Sequence, residues 1–131
     1  MSDPSQNIIV VDDDPEMSLA LWRLLNAAGF KARTFPSAEA LLASGAAATA
    51  GCLILDINLP GISGFELRRQ LEQNGGKTRV IFITAFDEPE SELEAEAAGA
   101  VAYLTKPFQG SSLIGAIKEA LQSHEHDQSR V

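Results

Sequence analysis

Ile8-Ile9-Val10-Val11-Asp12-Asp13-Asp14-Pro15 sets four aliphatic residues directly against three acids and a proline. An unbroken aliphatic run suits a strand covered on both faces, whereas a helix would space its apolar residues three and four apart. The acids then fall at the strand's carboxyl end. Asp14 is placed to cap a helix and Pro15 to occupy its first position. Met17, Leu21, Leu24, Leu25 and Ala28 follow at helical spacing, and Gly29 is suited to end that helix. A strand leading straight into an amphipathic helix is the opening unit of an α/β fold.

The same alternation continues along the chain. Lys31-Ala32-Arg33-Thr34-Phe35, Cys52-Leu53-Ile54-Leu55, Val80-Ile81-Phe82-Ile83 and Val101-Ala102-Tyr103-Leu104 are the further strand candidates. Helix candidates run over 37–44, 63–74, 88–98 and from Ser111 to about Ser123, with Gly75-Gly76 and Gly99 as stops. Five β-α units predict a five-stranded parallel sheet wound by helices on both faces, with the polar second run at an edge. Residues 1–6 read as an N-terminal extension, 7–123 as one domain and 124–131 as a polar, frayed tail. Trp22, beside the apolar face of the first helix, reads as packing. The Ala-rich stretch 43–50 is too short to be a domain boundary.

A length of 131 residues suits one compact domain. With 10 basic and 18 acidic residues the net charge is −8, which argues against direct contact with nucleic-acid phosphates or anionic membranes. No apolar run approaches the roughly 20 residues that cross a bilayer. The single cysteine, Cys52, leaves no internal disulfide framework and reads as an inert buried thiol. The start, MSDPSQN, lacks the features of a secretion signal, so a cytoplasmic location is expected. His124 and His126, without further ligands nearby, read as solvated.

Chemistry-bearing residues gather at the predicted strand ends. Asp12 and Asp13 follow the first strand, Asp56 ends the third, Thr84 ends the fourth and Lys106 lies just past the fifth. In open parallel sheets, ligands bind in the crevice outside the strand carboxyl ends. Setting the first, third, fourth and fifth strands side by side brings these groups to one rim. Carboxylates about 5 Å apart repel by roughly 3 kcal/mol per pair at an effective dielectric of 20, so the cluster calls for a cation. Oxygen-only ligands with room for water and phosphate favour Mg²⁺. An ammonium and a hydroxyl converging on such a carboxylate describe the surroundings of a phosphoryl group, with Asp56 the natural nucleophile for an acyl phosphate.

These residues resemble the receiver domains of two-component response regulators. The resemblance rests on Asp12-Asp13 after an aliphatic run, Asp56-Ile57-Asn58-Leu59-Pro60 with Gly64, Thr84-Ala85, and Tyr103-Leu104-Thr105-Lys106-Pro107-Phe108. It implies a doubly wound, flavodoxin-like (βα)5 fold with strand order 2-1-3-4-5. It further implies that Asp56 accepts a phosphoryl group from a sensor histidine kinase or a histidine phosphotransfer protein. Mg²⁺ would be held by Asp13, Asp56 and the backbone carbonyl of Asn58, with Asp12 assisting through water. Lys106, Thr84 and the backbone amides of Asn58 and Ala85 would contact the phosphoryl oxygens, and the Lys106-Pro107 bond would be cis. Thr84 would then move toward the phosphoryl group while Tyr103 turns inward. That exchange would reshape the surface of the fourth helix, fifth strand and fifth helix for a downstream protein or a second copy of the chain.

Such a protein is a switch, not an enzyme that turns over substrate. The rival reading is a phosphatase or phosphotransferase resembling the haloacid-dehalogenase group, which needs a second carboxylate two residues after its nucleophile; here that position is Asn58. A flavin carrier is disfavoured because Asp12-Asp13-Asp14 would repel a phosphate in the first loop. Output is either by protein contact from a stand-alone receiver or through a DNA-binding domain that this chain lacks. Two features stand apart. Asp87, Glu88, Glu90, Glu92, Glu94 and Glu96 occur without an intervening base, as either a solvated face or an output surface for a basic partner. Phe86 is placed to shield an acyl phosphate from water.

Overall fold

The computed structural model describes residues 7–76 and 78–129, with side chains as far as Gln122. Strands β1 (Asn7–Val11), β2 (Lys31–Phe35), β3 (Cys52–Asp56), β4 (Arg79–Thr84) and β5 (Ala102–Thr105) alternate with helices α1 (Pro15–Ala27), α2 (Ala38–Ser44), α3 (Gly64–Gln73), α4 (Pro89–Ala97) and α5 (Gly110–Ser129). All neighbouring strands are parallel, in the order β2-β1-β3-β4-β5. The aliphatic runs form the three central strands, and the polar run Lys31–Phe35 is an edge.

Side chains alternate between two cores, one on each face of the sheet. Ile8, Val10, Ile54, Ile81 and Ile83 pack against Leu21 and Leu25 of α1 and Leu113 and Ile117 of α5. Ile9, Val11, Leu53, Leu55 and Phe82 face Leu41 of α2, Leu67 of α3 and Ala95 of α4. Each fully buried aliphatic side chain contributes about 1.5–3 kcal/mol, which holds the strand ends in place beneath the rim. Cys52 is buried in β3, which pushes its thiol pKa up to about 12.

The helix starts are capped as their sequences dictate. Asp14 accepts a hydrogen bond from the Glu16 amide ahead of Pro15, Ser37 from Ala40 and Ser63 from Glu66. Three details differ from the sequence reading. The Ala-rich stretch contributes a 3₁₀ turn at Ala46–Thr49. Trp22 is 45% exposed, so it does not join the core. Helix α5 continues to Ser129, taking in most of the segment read as a tail, because no glycine or proline interrupts the chain after Gly115. The side chains of His124 and His126 lie outside the described residues.

Candidate phosphoryl-transfer site

The site is assembled from the carboxyl ends of β1, β3, β4 and β5. Backbone hydrogen bonds lash these ends together, from the Ile57 amide to the Ile83 carbonyl at 2.9 Å and from the Lys106 amide to the Thr84 carbonyl at 2.7 Å. Close approach of α3 contributes as well. A β-carbon on Gly64 would lie 2.5 Å from the backbone oxygen of Asp56, so only glycine lets the helix start this near the strand end.

Asp12, Asp13 and Asp56 each bring one carboxylate oxygen to within 4.8 Å of the others. Asp12 is 1% exposed and Asp56 5% exposed, whereas Asp13 faces solvent. The Lys106 ammonium reaches across from the end of β5, donating to Asp12 Oδ2 at 2.8 Å and to Asp56 Oδ2 at 3.0 Å. The Asp14 amide donates to Asp12 Oδ1 and the Asn58 amide to Asp56 Oδ1, both at 2.9 Å. Burial raises the Asp12 pKa; the Lys106 and Asp14 hydrogen bonds pull it back without cancelling the rise. Burial acts on Lys106 in the opposite sense, lowering its pKa, but the hydrogen bonds and charges of Asp12 and Asp56 outweigh it and the net shift is upward. The Lys106-Pro107 peptide bond is cis.

Thr84 is fully buried and its hydroxyl is saturated. Oγ1 accepts from Asn58 Nδ2 at 2.8 Å and from the Phe86 amide at 3.0 Å, and donates to the Phe86 carbonyl at 3.1 Å. Ala85 follows in an exposed loop, and Phe86 is 65% exposed. Tyr103, in β5, packs partly against the Phe82 face of the sheet, and its hydroxyl donates to Asp87 Oδ1 at 3.4 Å. Burial raises the Tyr103 pKa, and the charge of Asp87 and the hydrogen bond to it push the same way. The acids from Asp87 to Glu96 are all exposed, Asp87 before α4, Glu88 at its N-cap and the others on it.

Two contacts near the site escaped the sequence reading. The Asn58 side chain meets Thr84 across 26 residues of chain, a pairing that no local spacing announces. Glu39, on α2, accepts from the Ile62 amide at 3.3 Å and so braces the loop that carries Asn58.

The family model for the response regulator receiver domain matches residues 8–118. The response regulator protein TmoT of Ectopseudomonas mendocina is 37% identical over 122 residues, which are 93% of this chain and 56% of that protein. The chain thus spans about half the length of the curated relatives it matches. The solved structure of response regulator StyR superposes with a TM-score of 0.85 at 38% identity, over 95% of this chain and 63% of that one. Vibrio cholerae chemotaxis protein CheY4 gives a TM-score of 0.80 at 26% identity, over 88% of this chain and 98% of its own. Family match, strand order and the acidic rim agree: this chain belongs to the response regulator receiver domain family of two-component signalling.

Proposed function

We propose that the domain is a phosphorylation switch in which Asp56 takes a phosphoryl group from the phosphohistidine of a sensor kinase or histidine phosphotransfer protein. The observation that carries this reading is the Lys106 ammonium held between Asp12 and Asp56 at the strand-end rim. An Asp56 carboxylate oxygen attacks phosphorus, a P–O bond forms as the P–N bond breaks, and the imidazole leaves with the electron pair. Lys106 follows the negative charge onto the transferred oxygens, and the amides of Asn58 and Ala85 and the Thr84 hydroxyl donate to them. The all-oxygen set of Asp13, Asp56 and the Asn58 carbonyl, with Asp12 acting through water, suits Mg²⁺, and the clustering of three carboxylates within 4.8 Å is consistent with it. Bound there, Mg²⁺ supplies positive charge that offsets repulsion between the acids and the incoming phosphoryl group.

Thr84 leaves Phe86 for the phosphoryl group, Tyr103 leaves Asp87, and the α4-β5-α5 surface changes for its partner, either a downstream protein or a second copy. The exposed acids of α4 favour a basic partner surface. The overall charge of −8 disfavours direct nucleic-acid binding by this domain, and the family supports work in the cytoplasm. An amide at Asn58, engaged with Thr84, offers no general acid or base for rapid hydrolysis, which disfavours the phosphatase reading. The test is mass measurement after incubation with Mg²⁺ and acetyl phosphate. One added phosphoryl group, absent from Asp56→Asn, supports the switch; no gain, or a gain kept by that variant, overturns it.

A further inference from the structure

Asn58 touches both halves of the proposed switch at once. Its backbone amide donates to Asp56 Oδ1 at 2.9 Å and its side-chain amide donates to Thr84 Oγ1 at 2.8 Å. A threonine hydroxyl has one proton and two acceptor sites. In this structure the Phe86 carbonyl takes the proton, and the Phe86 amide and Asn58 fill the acceptor sites. For Thr84 to donate to a phosphoryl oxygen on Asp56, that arrangement has to open.

We infer that the Asn58 side chain is a clasp: it holds the Thr84 hydroxyl in its Phe86-bound position and so sets how strongly the domain resists switching before a phosphoryl group arrives. The inference rests on the functional reading above and adds to it a positioning role for the side chain of a residue that otherwise holds metal and phosphoryl group through its backbone. The geometry makes the two separable. Asn58 is exposed, and among the described residues none other than glycine has a positive φ, so alanine or leucine keeps the backbone carbonyl and amide in place without strain. The clasp also ties the β3–α3 loop to the end of β4, so the acceptor loop and the switching threonine move as coupled parts.

Losing one neutral hydrogen bond from the resting arrangement changes the balance between resting and switched states by about fivefold. Because a ligand of the switched state binds more tightly as that state gains population, the same factor appears in apparent affinity. The experiment is a titration of the Mg²⁺-loaded chain with beryllofluoride, a phosphoryl mimic, followed through the NMR signal of the Thr84 methyl group. In Asn58→Ala and Asn58→Leu, the beryllofluoride concentration for half-conversion should fall about fivefold relative to the parent chain. An unchanged or raised midpoint in both, with the Thr84 signal still responding, overturns the clasp and leaves the functional reading standing. If beryllofluoride fails to shift Thr84 in the parent chain, the functional reading falls and the clasp falls with it. General loosening of the loop would weaken binding, the opposite of the expected change.

Discussion

Gly64 lies so close to Asp56 that a β-carbon built on it would sit 2.5 Å from that residue's carbonyl oxygen and 3.0 Å from the neighbouring Ile57 Cα. Both are backbone atoms in a buried strand end, so neither can swing aside. Gly64→Ala must push α3 and β3 apart and tilt Asp56 with them. The expected loss is about 1–3 kcal/mol, read from the urea midpoint, together with slower phosphorylation by acetyl phosphate. An unchanged midpoint would mean that α3 slides freely over the strand end.

Lys106 is the counter-charge for Asp12 and Asp56, and Lys106→Met keeps the stem while removing the ammonium. Two buried carboxylates are then left facing each other. In EDTA at neutral pH, a loss of about 3 kcal/mol is expected. Mg²⁺ should recover part of it, and in the parent chain should itself stabilise by about 1.4 kcal/mol at ten times its Kd. Equal urea curves with and without Mg²⁺ would argue against a cation at the acidic rim.

Asp12 makes a different demand. Burial raises its pKa in the folded chain, so the folded state holds the proton more tightly than the unfolded one, whose value is near 3.8. The stability this confers is complete below that value and is lost as pH rises through the folded pKa. At neutral pH the ionised group therefore opposes folding, and Asp12→Asn should raise the urea midpoint in EDTA, with the gain shrinking as pH falls toward 3.8. A midpoint lowered at pH 7 would contradict this.

Tyr103 is the only tyrosine, so absorbance near 295 nm reports its ionisation alone. Burial and Asp87 keep the phenol protonated above its ordinary value of 10.0. The folded chain should titrate later than the urea-unfolded chain, and stability should fall as pH climbs from 10.0 through the folded pKa. Asp87→Asn should bring the midpoint down. No movement would show that the hydrogen bond to Asp87 carries little weight.

Much of this was legible because the chemistry sits beside the pattern that places it. Ile8–Val11 and Cys52–Leu55 are too aliphatic to be anything but covered strands, and the acids that follow must emerge at their ends. The polar Lys31–Phe35 run could only be an edge. What escaped has no local signature. The turn at Ala46–Thr49 is built of small residues without a period. Trp22 reads as packing because it lies beside the apolar face of the first helix, but one residue past Leu21 is enough to turn it off the buried stripe. The meetings of Asn58 with Thr84 and of Glu39 with Ile62 depend on how distant loops fall together, which only the folded sheet decides.

The strand order has a consequence for when the acidic rim acquires its counter-charge. Asp12 and Lys106 stand 94 positions apart in the chain, yet share one hydrogen bond. A growing chain exposes its acids early and gains their lysine only when β5 closes against β4. Until then the carboxylates repel both one another and any phosphate. The counter-charge thus arrives after the acids it offsets, and on the switch reading a chain cut short before residue 106 lacks the ammonium that would follow the phosphoryl charge.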